Sequence, residues 1–216
     1  MKEVVLIGAS GFVGTAILNE LLNRNYKATA VVRNPEKVSV KNPALTVVKS
    51  DVSDVKAIAA ICAGKEAVIS AYNPGWTNPN IYEDTLKNYP LILEAVKRSG
   101  AKRFLCVGGA GTLFCAPGLR VVDSGAIPAE IMGGVKSLGM FYLDTLMKEK
   151  ELDWIFFSPA GSLEPGQRTG KFRLGLNDLI VDEKGVSHIS VEDYAMAMVD
   201  ELEHPAHHRE RFTIGY

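Results

Sequence analysis

The sequence predicts an α/β fold, a doubly wound and mostly parallel sheet with helices on both faces. Three observations predict it. Short β-branched apolar runs alternate with segments of helical periodicity along the chain, the pattern of βαβ units. The first such run, Val4-Val5-Leu6-Ile7, passes directly into a glycine-rich turn that opens a helical pattern. The chain has 216 residues, 47% hydrophobic and 23% charged, which suits a single domain (1–216) with a sizeable core.

The elements follow in order. Val4–Ile7 reads as a buried parallel strand, being short, apolar and bounded by Gly8. Phe12, Val13, Ala16, Ile17, Leu21 and Leu22 recur at helical spacing. Strands are predicted at 28–32 and 45–48, a helix at 55–62, and a fourth strand at 67–71. A helix over 81–99 is stopped by Gly100 and should be kinked by Pro90. A fifth strand, 104–107, runs into Gly108-Gly109. One long helix is predicted from Pro128 to about Lys150, with Pro128 in its first turn. A sixth strand covers 154–157, a late helix 191–202 and a final strand 212–214. Residues 161–185 are polar, carry Gly and Pro, and exceed an ordinary connection. They are expected to form an excursion covering a substrate, or else a surface insertion.

Composition excludes several classes. With 24 Lys+Arg against 25 Asp+Glu, the net charge of -1 leaves no electrostatic footprint for nucleic acid or an anionic membrane. No apolar run reaches the ~20 residues of a membrane span. Cys62, Cys106 and Cys115 are far apart and form no CxxC pair, so neither a disulfide framework nor a zinc module is expected. No signal peptide is read, and a reducing, cytoplasmic setting is expected.

The segment Gly8-Ala9-Ser10-Gly11-Phe12-Val13-Gly14 is the most informative. It follows a buried strand and opens a helix, the context that makes a glycine triplet a dinucleotide site. Gly8 permits the turn, Gly11 lets backbone approach a pyrophosphate, and Gly14 allows close helix–strand packing. Amide groups of the loop and the helix dipole would hold the anion. A Rossmann-type sheet follows. An NAD site places an acid about 20 residues on, at the end of the second strand. Here that strand ends Val31-Val32-Arg33-Asn34, and Arg33 could fork onto a 2′-phosphate. NADP(H) is therefore expected in preference to NAD(H). Asp51-Val52 after the third strand could meet the adenine. Asp51 could equally cap the next helix, with Ser53 and Asp54 as rivals. Ala71, at the end of the fourth strand, completes the expected cofactor set.

These residues resemble the short-chain dehydrogenase/reductase superfamily, in its atypical, NmrA-like branch. The GxxGxxG spacing, Asp51-Val52 and Ile189-Ser190-Val191-Glu192-Asp193-Tyr194-Ala195 carry the likeness. Residues 165–175, 187–190 and Arg211-Phe212-Thr213 resemble proteins described as NADH-flavin reductases or NAD-dependent epimerases. The resemblance implies a catalytic Tyr four residues before a Lys on the long helix, plus a Ser after the fifth strand. Lys136 matches and would bind the nicotinamide ribose. The Tyr position holds Met132, and the Ser position falls on Gly109. Neither carries a titratable proton. Tyr72, after the fourth strand, and Thr112, past the glycines, are the candidate substitutes. Tyr142 lies about 240° around the helix from Lys136 and is read as a core or interface residue.

Other clusters admit plainer readings. Trp76 could stack on a planar substrate or anchor its loop. His204, His207 and His208 read as a solvated loop rather than a metal site, and no metal is expected. His188 is read as a structural hydrogen-bonding group. Arg168, Lys171 and Arg173 could meet a substrate phosphate, or pair with Asp178 and Glu183. The apolar run 113–119 could wall a pocket or be a packed connection.

The sequence thus predicts an NAD(P)H-dependent oxidoreductase acting on a small molecule, a flavin-like or other planar acceptor, because a flavin takes hydride without a protein acid. The alternatives are a non-catalytic NAD(P)-binding redox sensor of the NmrA type and a nucleotide-sugar epimerase or dehydratase. The last needs a base that is absent from the expected positions. A monomer or homodimer is expected, with no nucleic-acid or membrane partner.

Overall fold

A computed structural model describes residues 2–216. Its main sheet has eight strands in the order β10-β12-β8-β5-β4-β1-β2-β3. The strands are β1 (Glu3–Ile7), β2 (Lys27–Val32), β3 (Leu45–Lys49), β4 (Ala67–Ser70), β5 (Arg103–Val107), β8 (Asp153–Ser158), β10 (Arg173–Gly175) and β12 (Glu210–Gly215). All neighbours are parallel except β10, which runs antiparallel to β12. The chain winds outward from β1 to β3 and returns to β4 on the other side of β1. The topological switch point therefore lies between β1 and β4, where open α/β sheets bind ligands at the carboxyl ends.

Five helices cover the two faces: α1 (Phe12–Asn23), α2 (Val55–Cys62), α3 (Ile81–Ser99), α4 (Ala129–Met140) and α5 (Val191–Glu203). α1 and α5 bury Ile17, Leu18, Leu21, Tyr194 and Met198 against one face. α2, α3 and the segment after α4 bury Ile58, Tyr89, Ile92 and Phe141 against the other. Strand alternation supplies both cores: in β8, Ile155 and Phe157 face the first, Trp154 and Phe156 the second. Phe157 is stacked between Tyr194 and Phe212, with ring centroids 4.3 and 4.1 Å away. No helix is long and apolar enough to cross a membrane among the described residues.

Most boundaries fall within one or two residues of expectation, and α3 runs unbroken through Pro90 to Gly100, whose φ is 70°. The long helix is different. α4 ends at Met140, a π-helical segment spans Phe141–Thr145 and a 3-10 turn spans Leu146–Lys148. The extra residue per turn lets two consecutive aromatics face inward. Phe141 packs on Tyr89 and Tyr142 stacks on Phe156. Pro128 is the residue that precedes the helix rather than part of its first turn.

The sequence also hid short strands. β6 (Phe114–Ala116) and β7 (Leu119–Arg120) form a hairpin from the apolar run. Leu113 is buried beneath it, and Phe114 exchanges backbone bonds with Asn177 and Leu179, so the run is a packed connection. The excursion contributes β9 (Ser162–Glu164), paired with β11 (His188–Ser190), and β10, the edge of the main sheet.

Candidate functional site

The glycine loop sits on the switch point. The Gly8 amide donates to the Val31 carbonyl of β2, and the Ala71 amide donates to the Ile7 carbonyl of β1. Gly8 has φ 83°, and a Cβ there would lie 2.6 Å from the Ala71 carbonyl oxygen. A Cβ on Gly14 would lie 2.1 Å from the Gly8 carbonyl oxygen. Both positions therefore require glycine, and Ala71 is the strand end on which the loop rests.

α1 starts at Phe12 with Gly11 as its cap residue, and no side chain caps it. The amides of Phe12, Val13 and Gly14 belong to the first turn and have no intrahelical acceptor. Together with the helix dipole they form a seat for an anion. A dinucleotide pyrophosphate fits this seat, and it supplies the acceptors that the free amides lack.

A cavity of about 220 Å³ continues from the loop across the ends of β2, β3 and β4. Its walls include Gly8, Ser10, Gly11, Val32, Val52, Ala71 and Tyr72. Arg33, Asn34 and Lys37 stand at the β2 end. Arg33 and Lys37 are exposed, and neither makes a side-chain hydrogen bond or ion pair among the described residues. Lys37 went unremarked in the sequence. Asn34-Pro35 is the signal that could have found it, because the proline opens a 3-10 turn (Pro35–Lys37) that carries Lys37 back to the cavity.

Asp51 does not cap α2. Asp54 does, accepting from the Ala57 amide. Asp51 instead accepts from the Ser53 amide and hydroxyl. Those two bonds, with the charges of Arg33 and Lys87, hold its carboxyl below its ordinary range. Val52 beside it is buried and forms the apolar wall of the cavity.

Tyr72 is buried. Its hydroxyl accepts from Asn88 Nδ2 at 2.7 Å and its carbonyl accepts from the Tyr89 hydroxyl. Burial pushes its phenol above the ordinary range, against the opposing Asn88 bond and the Arg33 charge. Thr112 lies in the 3-10 turn Ala110–Thr112 and is also buried. Its carbonyl and its Oγ1 both accept from Arg211 Nη1 at 2.8 Å. Lys136 is exposed on α4 with no side-chain partner, one turn beyond half-buried Met132. The glycines after β5 are set by packing. A Cβ on Gly108 would lie 2.6 Å from the Phe156 ring, and one on Gly109 would press Leu138 at 3.3 Å. Ser158, on the neighbouring strand, donates to the Gly109 carbonyl.

The excursion is tied down mainly by polar contacts to α1, α5 and the last strand. Arg168 forks onto Glu20 of α1, which also binds Arg24. Asp193 of α5 is fully buried and accepts from the Thr169 amide and hydroxyl, the Gly170 amide and the Tyr216 hydroxyl. Arg173 donates to the Val181 and Tyr216 carbonyls. The alternative pairing with Asp178 and Glu183 is not formed among the described residues: Arg168 binds Glu20 of α1, and Arg173 binds main-chain carbonyls. Trp76 is half exposed and its ring edge sits over Gly134 of α4. His188 Nε2 lies 3.5 Å from Asp182. His207 is half-buried, stacked on Phe212 and bound to Glu201, and His208 meets Asp153, so the histidine loop is anchored rather than freely solvated.

Comparison with known proteins agrees with this geometry. A crystal structure from Bacteroides thetaiotaomicron, provisionally named an epimerase, is 61% identical with a TM-score of 0.95, covering 100% of this chain and 97% of that one. A Streptococcus pneumoniae structure, provisionally named an NADH-flavin reductase, is 32% identical with a TM-score of 0.85, covering 100% and 99%. The uncharacterised protein YwnB of Bacillus subtilis is 35% identical over 218 residues, covering 98% of this chain and 97% of its own. A family described as NAD(P)H-binding matches residues 8–205. The chain belongs to this NAD(P)H-binding family and has the Rossmann-type fold of an atypical short-chain dehydrogenase/reductase.

Proposed function

We propose that the protein is an NADPH-dependent reductase of a planar, flavin-like acceptor. One observation carries the cofactor choice. Arg33 and Lys37 stand uncommitted at the ribose end of the cavity, and no acid takes the place that would bind a ribose diol. Two cations there suit a 2′-phosphate. Gly11, Phe12, Val13 and Gly14 would hold the pyrophosphate, Val52 the adenine, and Lys136 the nicotinamide ribose. Asp51, beside Val52, would accept from the adenine amine. When bound, the cofactor supplies hydride.

The acceptor class follows from what the chain does not offer. Met132 and Gly109 carry no titratable proton, burial pushes the Tyr72 phenol above its ordinary pKa, and the Thr112 hydroxyl is an aliphatic alcohol whose oxygen accepts from Arg211. An acceptor whose proton comes from water fits such a site. An epimerase, which needs a positioned base, fits it less well. The name of the Streptococcus pneumoniae relative supports the same reading.

The test is the fall in nicotinamide absorbance when the protein meets NADPH and flavin mononucleotide, with NADH as control. Turnover that prefers NADPH is the expected result. Binding of NADPH without turnover of any flavin or quinone would favour the second reading, a redox sensor. That reading is supported by Met132 and Gly109 at the positions where a tyrosine and a serine would act.

A further inference from the structure

The lower end of the sheet, away from the cofactor, holds a second cavity of about 260 Å³. It lies where β8 and β12 begin, and it shares no residue with the cofactor cavity. Tyr142, Trp154, Met147 and Leu176 give it aromatic and apolar walls, Lys150, Arg209 and Arg211 give it three cations, and Glu210 gives it one carboxylate.

Arg211 is the unusual member. It is 6% exposed, and no carboxylate pairs with it among the described residues. Of its five N–H donors, three serve neutral acceptors: the Thr112 carbonyl, Thr112 Oγ1 and Asn177 Oδ1. Nε has no partner, and the guanidinium carbon lies 5.2 Å from the Tyr142 ring centroid. A buried charge left in this state is costly unless an opposite charge completes it. The charged groups around it do not do so. Arg120, Lys150 and Arg209 add positive charge. Asp178 is exposed on the excursion, and Glu210 accepts from the His208 amide. Burial draws the Arg211 guanidinium below its ordinary pKa, consistent with a missing counter-charge.

We propose that this cavity is a binding site for a small organic anion, an aromatic or apolar body carrying one carboxylate. The body would lie between Tyr142, Met147 and Leu176. The carboxylate would meet Arg211 within and Arg209 and Lys150 at the mouth. Arg209 is exposed with φ 52°, so a left-handed backbone turn sets its side chain beside β12. The inference does not depend on the reductase reading.

Trp154 lines the cavity and reports on it. The chain has two tryptophans, so a Trp76→Phe background leaves Trp154 as the sole emitter. Titration with benzoate should give a saturable change in Trp154 emission at millimolar concentration, with calorimetry as a second readout. Benzamide, the uncharged counterpart, should bind at least about tenfold more weakly, as loss of a charge-assisted contact predicts. Inorganic phosphate should also bind more weakly, lacking the apolar body. The double variant Arg209→Gln/Lys150→Gln alters exposed residues only. It should weaken benzoate about tenfold at an unchanged unfolding midpoint. Equal affinity for benzoate and benzamide would overturn the charge requirement, and equal affinity for phosphate would overturn the ligand class. No saturable response to any probe would reduce Arg211 to a tie between β12, Thr112 and Asn177.

Discussion

The two halves of the molecule reach the top of the sheet by different means. In the amino-terminal half, the cofactor seat is made of backbone: a loop with φ 83° at Gly8, three first-turn amides, and strand ends hydrogen-bonded beneath them. Its charged side chains, Arg33 and Lys37, are left free. In the carboxyl-terminal half the buried polar side chains hold structure. Asp193 gathers four donors, and Glu201 pairs with Arg103. The first half is built to receive a ligand that most of the family must share. The second half fixes one particular shape above it.

The largest effect should come from the backbone side. Gly14→Ala places a methyl group against the Gly8 carbonyl, with Ala9 Cα at 3.0 Å, so neither neighbour can yield cheaply. Overpacking of this kind should cost about 3 kcal/mol or more. Urea unfolding should show the loss, and NADPH binding by nicotinamide fluorescence should fall with it. A folded Gly14→Ala protein with normal NADPH affinity would break the comparison at its base.

The next test addresses the other half. Asp193→Asn keeps the size but removes the charge that binds two amides and two hydroxyls. A loss of about 2 kcal/mol is expected in urea unfolding. The pH dependence has a definite sign. Burial alone would raise the Asp193 pKa, but bonds from the Thr169 hydroxyl, the Gly170 amide, the Tyr216 hydroxyl and the Thr169 amide hold it below the ordinary value. A carboxylate whose folded pKa is depressed contributes stability above its unfolded pKa of about 4 and loses it as pH falls toward the folded value. The wild-type protein should therefore lose stability as pH falls below about 4. The variant, already without that charge, should lose less over the same window.

These contrasts explain what could be read in the sequence. The succession of strands and helices, the glycine loop and Arg33 at its strand end are legible because their causes are local: apolar runs, glycine spacing, and the residue at a strand end. Lys37 is almost local, four residues beyond Arg33 on a proline-led turn. The partners of Tyr72, Thr112 and Arg168 were not legible. Asn88 is 16 residues from Tyr72, Arg211 is 99 from Thr112, and Glu20 is 148 from Arg168. No spacing rule reaches that far. The π segment at 141–145 escaped for a related reason. Phe141 and Tyr142 fit one continuous helical pattern until tertiary packing requires both rings to face inward.

The free cations of the first half provide a smaller, more selective test. Arg33→Ala and Lys37→Ala alter exposed residues, so stability should stay within about 0.5 kcal/mol. Each should weaken NADPH about tenfold, in line with loss of a charge-assisted contact. NADH affinity should not change. Equal effects on both cofactors would move these cations from the 2′-phosphate to the pyrophosphate or to bulk attraction.

Lys136 should show the smallest effect, and it bears most directly on the comparison because it crosses the divide. It lies in the carboxyl-terminal half, yet it is exposed and unpartnered like Arg33 and Lys37. A side chain that holds no structure there should be available for ligand. Lys136→Ala should leave the unfolding midpoint unchanged within about 0.5 kcal/mol, as a surface substitution does. It should raise the KM for NADPH a few-fold, because one flexible ammonium contact to a ribose is a modest share of the binding. The catalytic rate should hold, since Met132 denies Lys136 the tyrosine whose pKa it would tune. A fall in kcat at constant KM would mean that a proton donor acts beside Lys136 after all. Steady-state kinetics at saturating flavin would separate the two outcomes. The rate-loss outcome would return Tyr72 and Thr112 to consideration as residues that leave their present partners when cofactor binds.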